Sequence, residues 1–239
     1  MGKLRVHNIE AQTGTNVDLG AAGDNVTIAS NSIQTNLYKD SGGNTIFQSD
    51  GAGTLSNVNS GMSGAGPKLI LSQDGSGSSQ VNFTSGIDST YDVYMFVFVN
   101  IHPQNDGANF WFQAGGSYNT TITSSYFRAN HGEDNSGGSL ADASAANAQA
   151  QGTGWQILFH EMDNDNDSNV GGILYLYSPS STTYVKQWNC TMQGVQNSAW
   201  TQNTFSAGYF NTTSAITQVG FKCASGNMES GTIKMYGIA

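Results

Sequence analysis

The stretch from Tyr91 to Pro103, YDVYMFVFVNIHP, constrains this chain more than any other. Tyr91, Val93, Met95, Val97, Val99 and Ile101 make one face of the alternation. Asp92, Tyr94, Phe96, Phe98, Asn100 and His102 make the other, aromatic in its middle and polar at its ends. Period-two alternation of β-branched and aromatic residues, closed by a polar turn cluster, specifies a strand. Its centre is apolar on both faces, whereas one sandwich core covers only one. A second cover is therefore expected over Tyr94, Phe96 and Phe98, from an insertion of the same chain or from a neighbouring subunit. These three are the candidate subunit-interface residues.

The length of the chain suits one large β-domain and an appendage, or two small domains. Charged residues are 10% of the 239, far below the usual quarter of a soluble chain. Asn, Ser, Thr, Gln and Gly supply the polarity, and 25 aromatic residues are available for burial. The net charge of −9 offers no basic patch for nucleic acid and nothing for an anionic membrane. The longest apolar run, Val93 to Val99, is too short to span a bilayer. The first residues, MGKLRVHNIEAQTG, contain no apolar core of signal-peptide length, so synthesis in a cytoplasm is expected. Cys190 and Cys223 could form one bridge; without an export signal, reduced thiols are favoured.

Residues 1–68 hold only two aromatics, Tyr38 and Phe47. The shift in composition places a boundary in the linker Gly61 to Pro67, giving segments 1–66 and 67–239. The first is a small, extended, β-rich segment of short alternating pieces (LRVHNIE, NVDLG, NVTIA, NTIFQS) separated by turns such as AAGDN and DSGGN. Each piece carries too few apolar residues to order alone, which suits attachment to another protein or interlacing with copies of itself. The second segment reads as eight or more strands with no helical repeat: 80–84, 91–103, 109–114, 155–162, 173–177, 183–188, 206–210, 216–223 and 232–238. The fold class is all-β, a C-terminal sandwich of jelly-roll type. The Ala-rich stretch 140–151 reads as a loop insertion or a short helix.

Little of the sequence points to catalysis. DNDNDSN (Asp163 to Asn169) sets Asp163, Asp165 and Asp167 at a spacing that can wrap calcium, but Ser168 and Leu174 stand where an EF-hand needs Gly and Glu. The bland alternative is a solvated turn. His160-Glu161 begins like a zincin motif, but Asn164 stands at its fifth position, and regular strand geometry points the pair to opposite faces. Asp40-Ser41-Gly42-Gly43 reads as a turn. No nucleophile elbow or Walker loop occurs. Trp111, Trp188, Trp200, Tyr118 and Tyr209 are candidates for stacking on sugar rings. Trp200 is the strongest, because the amide-rich stretch 193–202 reads as a loop between strands, with Gln196, Asn197 and Gln202 beside it.

The second segment also resembles structural proteins of tailed phages, common in marine phages. The likeness rests on SGIDSTYDVYMF (85–96), NIHPQNDG (100–107), GGILYLYSPSSTT (171–183), SAITQVGF (214–221) and SGNMESGTIKMYGIA (225–239). The opening KLRVHNIEAQTGTNVDLGAAGDNVTIA is similar to the starts of phage fibre and virion proteins. Only 130–155 and 190–205 look individual. The resemblance implies a β-rich, homotrimeric virion component without catalytic residues. It would be a fibre-type protein for attachment to host-surface glycan, anchored to other virion proteins through its first segment. The alternative is a capsid decoration or head-fibre protein.

Overall fold

The structure, a computed structural model, describes residues 37–40, 42–49, 51–52, 55, 56 and 58, and then 66–142 and 147–238. The chain divides into two compact units, Met1–Gly64 and Ala65–Ala239. The pieces LRVHNIE, NVDLG and NVTIA lie outside the described residues.

In the first unit β1 (Leu37–Lys39), β2 (Thr45–Ser49) and β3 (Leu55–Ser56) form a three-stranded antiparallel sheet. Tyr38 lies opposite Phe47, with their rings 4.4 Å apart. The turn between β1 and β2 is closed by Asp40, whose carboxylate accepts hydrogen bonds from the backbone N–H groups of Gly42 and Asn44. Those bonds, with the Asn44 side-chain amide, hold the Asp40 carboxyl below its ordinary pKa. DSGGN is thus the turn its composition indicates.

The second unit contains β4 (Lys68–Asp74), β5 (Val81–Phe83), β6 (Val93–Pro103), β7 (Ala108–Ala114), β8 (Ile122–Gly132) and β9 (Gly138–Asp142). These are followed by β10 (Ala150–Gly152), β11 (Gln156–Met162), β12 (Val170–Tyr177), β13 (Lys186–Gln196), β14 (Trp200–Phe210), β15 (Val219–Cys223) and β16 (Met228–Ile238). All are β, and they pack as a sandwich. The large layer runs β4-β16-β6-β12-β13-β14-β8, with β9 and β10 pairing β8 at its edge. The small layer runs β11-β7-β15-β5. A single residue pair, Met162 with Gln196, joins the two layers into one hydrogen-bonded system. The chain passes from one layer to the other at β4 to β5, β5 to β6, β6 to β7, β7 to β8, β10 to β11, β11 to β12, β14 to β15 and β15 to β16.

Phe221, on β15, stands at the centre of the core. Its ring meets those of Phe83, Phe96, Phe98, Phe110 and Phe112, with centroids 5.1 to 6.1 Å apart. The gap between stacked sheets is about 10 Å, and interleaved phenyl rings fill it. Each fully buried ring contributes roughly 1.5–3 kcal/mol, before the further gain of edge-to-face pairing.

This core corrects the expectation for β6. Tyr94 and Phe96 are fully buried and Phe98 is 2% exposed, all inside their own chain. Cross-strand pairing puts Phe96 beside Leu174 and Met235, which are also core residues. These rings therefore cannot be subunit-interface residues. The face left in want of cover is the aliphatic one, where Val93, Met95 and Val97 are half-buried and Val99 is exposed. Rings fill the inter-layer gap better than Val or Met, which decides the orientation of a strand that is apolar on both sides. Both cysteines are unpaired and buried, and burial pushes the Cys223 thiol up to about 12.

A candidate contact cleft around Trp200

The stretch 190–205 is not a loop. β13 and β14 pair without interruption from Lys186 opposite Phe210 to Gln196 opposite Trp200, and β14 pairs β8 over the same span. Only Asn197, Ser198 and Ala199 form the turn. Ser198 and Ala199 hold φ of +70° and +58°, the left-handed region that non-glycine residues avoid at about 1–2 kcal/mol each. The strained turn is held by its neighbours: the Asn197 N–H donates to the Glu161 carbonyl, and the Glu133 N–H to the Ala199 carbonyl.

Trp200 lies opposite Gly132. A Cβ at Gly132 would sit 3.4 Å from the Trp200 ring and 2.7 Å from the Ser136 hydroxyl, so the glycine makes room for both. Beside the half-buried indole opens a cleft of about 400 Å³, lined by Asn130, Gly138, Ser139, Gln196, Asn197 and Ser198 together with Trp200. Asn130, Gln196 and Trp200 share the inward-pointing side of β8, β13 and β14, beyond the apolar core.

A chain of hydrogen bonds fixes the cleft's amides. Ser139 Oγ donates to Asn130 Oδ1 at 2.6 Å, Asn130 Nδ2 to Gln196 Oε1 at 3.4 Å, and Gln196 Nε2 to Glu161 Oε2 at 2.8 Å. Behind them Arg128 donates to His160 Nδ1 at 2.6 Å and to Gln202 Oε1 at 3.1 Å, while Gln202 Nε2 donates to the His160 carbonyl. Burial and the neighbouring Arg128 guanidinium depress the pKa of His160, against the opposing pull of Glu161. A neutral imidazole accepting from Arg128 at Nδ1 fits that direction. His160 and Glu161 do not point apart as a regular strand predicts. Glu161 has φ of +55°, the β11–β7 register shifts there, and Glu161 Oε2 comes within 3.3 Å of His160 Nδ1.

Of the four sequence candidates, Trp200, Gln196 and Asn197 line one cleft. Gln202 does not: it is 1% exposed and braces Arg128 and His160 from behind. A glutamine with both ends of its amide hydrogen-bonded is satisfied in the interior. Sequence reasoning missed Asn130, Gly138 and Ser139, which reach the cleft because β8 pairs both β14 and β9. The available signal was the polar hairpin RANHGEDNSGGSLAD.

Among the other aromatic candidates, Trp188 is a core residue, 2% exposed. Trp111 and Tyr118 belong to a cluster with Trp155: Tyr118 stacks on Trp155 at 5.7 Å, and the Lys222 ammonium lies 4.4 Å from the Trp155 ring centre and 5.4 Å from that of Trp111.

The acidic loop does not assemble a calcium site. Asp163 is buried and accepts a hydrogen bond from the Ser168 hydroxyl, while Asp165 and Asp167 are exposed. The Ser168 N–H donates to the Asp165 carbonyl and the Ser168 carbonyl meets His102 Nδ1 at 2.9 Å, so the loop closes on protein groups. Among the described residues no three carboxylate, imidazole or thiol groups converge as metal ligands.

The cleft thus offers an indole flank and fixed amide and hydroxyl groups. Such a surface suits a neutral ligand that combines an apolar ring face with hydroxyl groups. No protein family, curated protein or solved structure matches the chain.

Proposed function

We propose that this chain is a non-enzymatic structural protein of a tailed-phage virion, a homotrimer whose sandwich is displayed for contact with host-surface glycan. The observation that carries the contact role is the cleft at Trp200, where Gln196, Asn197, Asn130 and Ser139 surround an indole. Aromatic anchors carry most of the energy of contact surfaces, and the fixed amides beside this one add directional hydrogen bonds. Pyranose rings present the matching chemistry, an apolar face edged by hydroxyl groups. The first segment, with its short strands and few apolar side chains, serves as the anchor to other virion proteins, three arms acting together.

The test is adsorption of the full chain to immobilised surface glycan from a susceptible host. Trp200→Ala is expected to weaken adsorption by about 1–3 kcal/mol, the scale of an anchor residue, and to leave the melting temperature nearly unchanged. Normal adsorption by the variant would overturn the assignment of the cleft. Release of shortened oligosaccharides by the unaltered chain would overturn the non-enzymatic reading.

A further inference from the structure

We infer that the outer face of the large layer is where copies of this chain meet, with the ring pair Phe127/Phe205 of one copy seated in the hollow at Gly171 of the next. This rests on the self-assembly proposed above and names its surface.

One cross-strand row of this face is mostly apolar across five strands, set among uncharged polar residues such as Gln187, Asn189, Gln193, Asn203 and Ser125. Reading outward from β6 through β12, β13 and β14 to β8, Val97 lies opposite Ile173, Ile173 opposite Thr191, Thr191 opposite Phe205, and Phe205 opposite Phe127. Ile173 is 37% exposed, Phe205 38% and Phe127 45%. The outward positions of these strands carry no Asp, Glu, Lys or Arg. Five strands about 4.8 Å apart, each with about four outward residues 6.8 Å apart, outline roughly 24 by 27 Å. That approaches the ~800 Å² each partner of a stable complex buries.

A second copy is the occupant that charge and shape favour. The chain carries −9, yet the five strands present none of it here; Lys234 on β16 lies opposite Val97 past one edge, and Asp142 on β9 lies opposite Phe127 past the other. Two such chains can approach here without opposing charge, whereas a basic partner would be drawn to the acidic surface elsewhere. The face also carries a projection and its counterpart. Phe127 and Phe205 stack in parallel, 4.8 Å apart at 12°, and stand out as a unit. Two to three strands away Gly171 and Gly172 leave a hollow of about 430 Å³ bordered by Val97, Ile173, Thr191 and Gln193. A projection and a hollow on each copy permit a head-to-tail contact, and such contacts close into a ring when the rotation fits.

Sedimentation of the full chain across micromolar concentrations tests this. The unaltered chain is expected to sediment as an assembly. The double variant Phe127→Thr/Phe205→Thr and, separately, Gly171→Val are each expected to weaken assembly by at least about tenfold, as loss of an anchor or its pocket does. A Cβ at Gly171 meets only the Phe98 carbonyl oxygen, at 3.4 Å, so Gly171→Val fills the hollow from outside the core. Should that variant misfold, Thr191→Lys places a charge between projection and hollow instead. Variants that assemble as tightly as the unaltered chain would overturn the face while leaving self-assembly standing. An unaltered chain that sediments as a single chain throughout would overturn self-assembly itself.

Discussion

The two outer faces of the sandwich treat their aromatic residues differently. On the small layer Trp111 is covered by its own chain: Lys222 lies over it and over Trp155, Tyr118 stacks on Trp155, and Gly220 leaves room for the Tyr118 ring. Buried Gln113 secures this cover, donating to the carbonyls of Thr120, Thr153 and Gly154 at the two loops that carry Tyr118 and Trp155. On the large layer Phe127, Phe205 and Ile173 stay partly exposed, and among the described residues Phe127 and Phe205 stack on each other. One face is completed within the chain. The other leaves its aromatic pair partly exposed. Completion of a β-layer therefore depends on the loops its neighbours spare for it, and here the β7–β8 and β10–β11 connections serve the four-stranded side.

Substitutions can break or sharpen this contrast. The largest effect is expected beneath both faces: Phe221→Ala removes the ring that five others touch and should destabilise by about 3–5 kcal/mol in denaturant unfolding. A smaller loss would mean that the layers can collapse onto the void. Next, Trp155→Ala removes the Tyr118 stack and the Lys222 contact and should lower stability by about 1–2 kcal/mol, with assembly unaffected. No loss would erase the distinction between the faces. Phe205→Thr, in contrast, should cost the isolated chain only about 0.5–1 kcal/mol, because the ring is partly exposed and its ring contact is the Phe127 stack. The smallest effect concerns pH. His160 has a folded-state pKa below its ordinary 6.5, so the unfolded chain binds the extra proton first. That contribution to stability is complete above the unfolded pKa and is lost as pH falls through and below it. His160→Gln should flatten this part of the stability profile, and an unchanged slope would show that another group sets it.

Much of the fold was readable in the residues. β6, β7, β11, β12 and β16 announce themselves through aromatic and β-branched alternation, and all-β architecture follows from them. β8 and the paired halves of β13 and β14 did not. Their inward positions include Arg128, Asn130, Gln202 and Thr204, which are satisfied by hydrogen bonds to His160, Gln196 and the Leu158 carbonyl rather than by apolar contact. A strand whose two sides are both polar has no period for the eye to find. The orientation of β6 was equally hidden, since either face could be buried until Phe221 decided it. At the cleft, composition alone singled out Trp200, Gln196 and Asn197. Asn130 and Ser139 lie some sixty residues away and arrive only through pairing with β14, a long-range fact that local pattern does not contain.

The uninterrupted ladder behind Trp200 has a mechanical consequence. Eleven residue pairs join β13 to β14 and eleven join β14 to β8, with no bulge in either set. A ligand held at the turn and tugged along the strand direction would load these bonds side by side, in shear. Bonds loaded in parallel share the tension, whereas a pull across the strands would open them one after another like a zip. The cleft thus sits at the end of an uninterrupted ladder suited to axial load, and a ligand pulled from there would strain many bonds at once rather than peel one strand from its sheet.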